Sequence, residues 1–193
     1  MTTLESDLVT RIQDSLGIEL LFESHGRPKI VRPPLGSPKW PHKLDPLRTV
    51  VMDTTPTDDG EFWPTPRFEI LIANLDSVGI SVVQVGDPSS ERLARANHHF
   101  RKLSSADRAG VISQGLLWVG MNTPWRIVVA ALGKPQIVIA SAKSQVEPNW
   151  PDTFVVDASA HAPESKALGP ISVTSVAEAV STALKQFGAN PAS

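Results

Sequence analysis

A single α/β domain, built as a three-layer, Rossmann-like, doubly wound parallel sheet, is the fold this sequence predicts, on three observations. Short apolar runs rich in Val and Ile alternate with segments of helical spacing from Arg48 onward. The runs lack the polar alternation of a half-exposed strand, so both of their faces are buried. The helical segments open on serine or proline and close on glycine, the residues that start and stop helices.

Taken in order, Ser6 to Leu16 carries Leu8, Val9, Ile12 and Leu16 at helical spacing before Gly17. Two short apolar runs follow, at Leu20-Leu-Phe and Lys29-Ile-Val, and then the proline-rich stretch 33–46 (PPLGSPKWPHKLDP). Proline there forbids a helix or a central strand, so residues 1–46 are expected to form a helix and an extended lead-in. The main domain is expected at 47–187, with a frayed tail at 188–193.

Within it, Thr49 to Asp53 reads as a strand. Pro64 to Val78 places Phe68, Leu71, Ile72 and Leu75 on one face of a helix stopped by Gly79. Ile80 to Val85 is the next strand. A polar helix is expected at Ser89 to Asn97, a weak strand around Phe100 to Leu103, and a helix capped by Ser104 or Ser105 running to Ser113. Leu116 to Gly120 is a strand, Thr123 to Leu132 a helix with Pro124 in its first turn, and Gly133 its stop. Gln136 to Ala140 and Thr153 to Asp157 complete six strands. A last helix starts at the serines around Ser172 to Ser175 and turns Val176, Val180 and Leu184 inward. Right-handed crossovers between such strands put ligands at their carboxyl ends, near the point where strand order reverses.

Composition excludes several classes. With 193 residues, 41% hydrophobic and 20% charged, the chain can bury a core. A net charge of −2 and scattered Lys and Arg give no concentrated basic face for non-specific nucleic-acid binding. The absence of cysteine removes disulfides, thiolate metal sites and a Cys nucleophile. The first residues lack a basic start followed by an apolar run, and no stretch reaches the ~20 apolar residues a membrane span needs. A cytoplasmic protein without a membrane span is therefore expected.

The segment from Leu116 to Ile139 (LLWVGMNTPWRIVVAALGKPQIVI) carries the most chemistry. It is a strand, a tight Gly120-Met-Asn-Thr turn, a helix start, then Ala-Ala-Leu-Gly-Lys-Pro and another strand. Backbone N–H groups at that helix start, with the side chains of Asn122 and Thr123, suit a diphosphate. By local pattern alone, Asn122 or Thr123 reads first as a plain helix cap. Asp58, Asp59 and Glu61 read as a solvated acidic turn rather than a Mg²⁺ site, and no metal is expected. His98-His99 reads as a surface pair with no third ligand near in sequence. Trp125 and Trp150 offer stacking surfaces, and Trp150, between prolines, equally a packing anchor. No glycine-rich phosphate loop, nucleophile elbow or zinc-protease motif is present.

Leu116 to Ile139 resembles the matching segment of glycosyltransferase family nine, the heptosyltransferases of lipopolysaccharide assembly. That family has a strand, Gly, an Asp-Ser/Thr-Gly turn, a His one turn later, then Ala-Ala-Leu-Gly-Lys-Pro. Here Thr123 matches, while Asn122, Pro124 and Ile127 stand where the family has Asp, Gly and His. Met52-Asp-Thr-Thr followed by Phe62-Trp-Pro is similar to the family's turn leading into a Lys-x-Trp-Pro helix start, with Glu61 at the Lys position. Val85-Gly-Asp-Pro-Ser-Ser-Glu91 resembles the segment in which a Glu holds the donor ribose. Ile171 to Val180 is similar to the family's closing helix. The likeness spans roughly Leu47 to Phe187, the C-terminal, donor-binding half of a B-type (GT-B) transferase.

The resemblance implies a nucleoside-diphosphate sugar as donor substrate and no further cofactor. It implies a donor site made of Thr54, Thr55, Glu91, Gly120, Asn122 and Thr123, and it assigns no catalytic residue. A B-type transferase works between two Rossmann-like domains, and some 45 residues are too few for the acceptor domain. The chain is therefore expected to act as one half of a split sugar transferase, completed by a partner chain or by another copy in a homo-oligomer. Two alternatives stand beside it: a non-catalytic binding or assembly module descended from that domain, and an enzyme like the nucleoside deoxyribosyltransferases.

Overall fold

The structure is a computed structural model, and it describes residues 10, 13–14, 20–22, 28–30, 40–88, 90–100, 102–141, 146, 150–158 and 168–188. Thr10, Gln13 and Asp14 are helical; the rest of the expected first helix lies outside the described residues, as does the tail beyond Gly188. Strands β1 (Leu20–Phe22) and β2 (Pro28–Ile30) pair antiparallel. Trp40 anchors the end of the proline-rich stretch, its indole N–H donating to the Leu44 carbonyl at 2.9 Å.

The main sheet has six strands: β3 (Thr49–Asp53), β4 (Ser81–Val85), β5 (His98–His99), β6 (Leu117–Met121), β7 (Gln136–Ala140) and β8 (Thr153–Asp157). All pairings are parallel and the order is β5-β4-β3-β6-β7-β8. That is the doubly wound arrangement, with the reversal between β3 and β6. Every residue of β3, β6 and β7 is buried, because helices cover both faces.

Helices α1 (Thr65–Ser77) and α4 (Val173–Phe187) share one face. Their Phe68, Leu71, Ile72, Val176, Val180 and Ala183 meet Val50, Met52, Val82, Leu117, Val119 and Ile137. Helices α2 (Ser105–Gln114) and α3 (Trp125–Ala131) cover the other, where Val111, Ile112 and Val129 meet Val51, Val83, Trp118 and Val138. The N-terminal hairpin strand β2 packs on α3. Trp150 is buried with Ile127 and Val128, a packing anchor. Caps fall where serine sits: Ser104 accepts from Asp107 N–H and Ser172 from Ser175 N–H. Gly133, at φ +68°, closes the turn after α3 in the left-handed region where glycine carries no steric cost.

Two expected elements are corrected. The polar helix at Ser89 to Asn97 does not form: among the described residues, 90–97 are turns and irregular backbone. Tertiary acceptors take its amides instead. Leu93 N–H donates to Gln84 Oε1, those of Ala94 and Arg95 to the Glu69 carboxylate, and Asn97 exchanges bonds with Val82. The weak strand near Phe100 to Leu103 lies two residues earlier, at His98–His99, where it pairs with Val83 and Gln84.

Candidate functional site

The carboxyl ends of β3, β4 and β6 gather the residues singled out in the sequence, each strand delivering its side chains to the same edge. Thr54, one residue past β3, is buried; its N–H donates to the Val85 carbonyl at 3.1 Å and its hydroxyl accepts from Gln84 Nε2 at 2.8 Å. Glu91 is exposed and accepts from the Thr65 hydroxyl at 2.6 Å. Thr54 and Glu91 line one cavity of about 150 Å³ together with Trp63, Thr65 and Phe68. Of the six residues expected to form a donor site, these are the two that the fold brings onto a common wall.

Gln84, on β4, is the hub of that wall and was not apparent in the sequence. Its amide nitrogen also donates to the Glu91 carbonyl at 2.7 Å, while its oxygen accepts from Leu93 N–H at 2.9 Å and meets His99 Nδ1 at 2.7 Å. With the amide nitrogen spent on Thr54 and Glu91, the oxygen is what faces the imidazole, so His99 Nδ1 carries the proton. His99 is thus engaged in the interior of the edge and is not half of a free surface pair.

Thr55 belongs to a second constellation. Its N–H donates to Asp53 Oδ1 at 3.0 Å, and its hydroxyl accepts from Arg108 Nη2, which also pairs with Asp53 Oδ1. Arg108 Nη1 reaches Asp87 Oδ1 at 3.1 Å, and the guanidinium carbon lies 4.1 Å from the centre of the Trp125 ring. Arg108 and Asp53 are both almost fully buried. A buried guanidinium is stable only when paired and hydrogen-bonded, and here two carboxylates, a hydroxyl and an aromatic face supply that. Arg108 escaped the sequence reading because its helix is otherwise Ala, Gly, Val and Ile on that side. An arginine inside such an apolar stretch was the available signal.

The remaining candidates take different positions. Gly120 lies inside β6, where a Cβ would fall 2.4 Å from the Trp118 ring, so its absence of a side chain makes room for that indole. Asn122 donates its N–H to the Ile139 carbonyl at 3.0 Å and lines a separate cavity of about 140 Å³ with Asp58, Asp59, Glu61 and Ser141. The cap of α3 is Pro124, without a side-chain bond, so neither Asn122 nor Thr123 caps it. The Thr123 hydroxyl is buried and has no hydrogen-bond partner among the described residues. Ile127 is buried under α3, and Trp125 covers Arg108. Among the described residues no three His, Asp or Glu side chains gather as a metal site, and no helix is long and apolar enough to cross a membrane.

Solved structures share this architecture. A family 9 glycosyl transferase from Veillonella parvula superposes over 72% of this chain and 46% of its own, with 14% identity and a TM-score of 0.58. The E. coli ADP-heptose heptosyltransferase II covers 76% and 50%, with 18% identity and a TM-score of 0.60. The heptosyltransferase TibC, solved as an iron-containing dodecamer with ADP-D-beta-D-heptose, covers 84% and 50%, with 18% identity and a TM-score of 0.61. The domain has the fold of half a family 9 glycosyltransferase. The chain spans about half the length of these structures. No family model and no curated protein matches the sequence.

Proposed function

We propose that this glycosyltransferase-like domain binds the nucleoside end of a nucleoside-diphosphate sugar at the carboxyl edge of its sheet. In this reading it is the donor half of a sugar transferase whose acceptor half comes from a partner chain or another copy. One observation carries the reading: Thr54 and Glu91, 37 positions apart in the chain, meet on one cavity beside Trp63. The Glu91 carboxylate suits a ribose diol, and the indole and phenyl edges of the wall suit the apolar parts of a nucleoside. The structures of similar fold include heptosyltransferases solved with ADP-heptose or an analogue of it, which supports the same donor class.

A second reading rests on its own observation. Glu61 stands where the resemblance places a lysine, and with Asp58 and Asp59 it surrounds the cavity at Asn122. Three carboxylates at that point oppose the negative charge that develops on a leaving diphosphate. This favours a domain that keeps binding or assembly and has lost transfer.

Thermal-shift titration with ADP-, GDP- and UDP-sugars separates the two. Donor binding raises the melting temperature, by the equivalent of about 2.7 kcal/mol at a hundredfold excess over Kd. Glu91→Ala is then expected to weaken the bound nucleotide about tenfold, the loss of one charge-assisted hydrogen bond. No shift with any nucleotide, alongside a stable complex in light scattering, rejects the donor reading in favour of the assembly module.

A further inference from the structure

A third cavity, about 140 Å³, opens at the carboxyl ends of β4 and β5 between Asp87, Ser90, Arg92, His99 and Lys102. Arg92 and Lys102 are exposed, and neither forms an ion pair with a described residue. Behind Asp87 stands Arg108, whose Nη1 holds the Asp87 carboxylate at 3.1 Å while Nη2 is taken by Asp53. The Arg108 Nε–H is buried and has no acceptor among the described residues. The Asp87 side chain is 47% exposed on the loop after β4, against 1% for Asp53. Lys102 has φ +55°, the left-handed region that a lysine adopts at a cost in backbone strain.

Two exposed cations, Arg92 and Lys102, thus line this cavity, and the buried Arg108 stands behind its loop carboxylate Asp87. We propose that this cavity is a binding site for a phosphate-type dianion, in which Asp87 holds the outward nitrogen of Arg108 in the place a phosphate oxygen would take. A tetrahedral dianion carries more charge and more acceptor oxygens than a carboxylate, and it suits the arginine fork better. When it binds, Asp87 swings outward on its loop. The phosphate oxygens then accept from Arg108, Arg92, Lys102 and the Ser90 hydroxyl. The site shares Ser90, Gln84 and His99 with the Thr54–Glu91 wall and its hub, but its charged groups, Asp87, Arg92, Lys102 and Arg108, lie outside that wall.

Isothermal titration of the full chain with inorganic phosphate, pyrophosphate and AMP, at constant ionic strength, tests it. Saturable binding of at least one of them is expected. Asp87→Asn, which removes the competing charge, should tighten it about tenfold, and Arg92→Gln should weaken it several-fold, the sizes usual for charge-assisted contacts. Tighter binding of AMP than of phosphate identifies the anion as part of a nucleotide; equal binding identifies a free phosphate, and both support the site. Heat from none of the three in either the parent or Asp87→Asn overturns it, and so does an affinity that Asp87→Asn leaves unchanged or lowers.

Discussion

The two faces of the sheet are packed by different chemistry. Under α1 and α4 the interior is apolar out to the edge, from Val50 and Met52 through Phe68 to Val180. Under α2 and α3 the same alternation of side chains begins with Val51 and ends in Asp53, and α2 answers it with Arg108. An apolar layer is indifferent to small changes of register or neighbour, whereas a buried ion pair fixes one geometry. The Thr54–Glu91 cavity opens against Trp63 and Phe68 of the first face, whereas on the second face the carboxyl edge is held by the Asp53–Arg108–Asp87 pairing.

The sharpest way to break this contrast is at Asp53. Asp53→Ala leaves Arg108 buried with only the half-exposed Asp87 and Thr55 as partners, and should cost about 3–5 kcal/mol, as removing one partner of a buried pair does. On the apolar face, Ile137→Val should cost about 0.5–1.5 kcal/mol. Urea unfolding measures both. Replacing the pair together, as Asp53→Leu with Arg108→Met, should recover most of the loss, because two apolar side chains need no compensation. Equal costs for Asp53→Ala and Ile137→Val would mean that water already satisfies the guanidinium.

A smaller effect is expected at Gly120, also on the second face. A methyl there meets the Trp118 ring at 2.4 Å, and the rigid indole cannot yield without disturbing Val129 and Val138 around it. Gly120→Ala should cost about 1–3 kcal/mol, the range for overpacking. In a Trp118→Leu background the further cost should nearly vanish, since the clashing atoms are gone and the two changes cease to be additive. A penalty that persists there would place the requirement for glycine in the backbone or in a ligand, not in the indole.

Much of the fold was legible because it rests on local pattern. The runs at Thr49–Asp53, Leu117–Met121 and Gln136–Ala140 are buried on both faces and say so by composition, and Ser104, Ser172 and Gly133 mark helix ends by their own chemistry. The stretch after Gly86 was not legible, because its amides are claimed by Glu69, Gln84 and Val82, acceptors set by tertiary contact. The site divides in the same way. Thr54 and Glu91 follow strand ends and do meet. The Asp53–Arg108 pair spans 55 positions, and nothing local announces it. Thr123 matches a motif, yet its hydroxyl points into the interior, a matter of side-chain direction that spacing does not encode.

The last test concerns the other end of the same face, where Lys134 closes the gap between α2 and α3. Its ammonium donates to the Gly115 carbonyl at 2.8 Å, and burial pulls its pKa below the usual 10.5. Unlike Arg108 it has no carboxylate partner among the described residues, so its charge is a cost to the folded state. Between the lowered value and 10.5 the unfolded chain binds more protons than the folded one, so stability rises with pH across that window. Below the window the cost is fully present, and above 10.5 it is gone. The chain has neither Tyr nor Cys, so side-chain titration in that range belongs to lysine. Urea midpoints of the parent and Lys134→Met from pH 8 to 10.5 should therefore show the parent gaining on the variant as pH rises. A constant difference would show that Lys134 titrates as a solvated lysine, and that the cost of unpaired charge on this face is confined to its carboxyl edge.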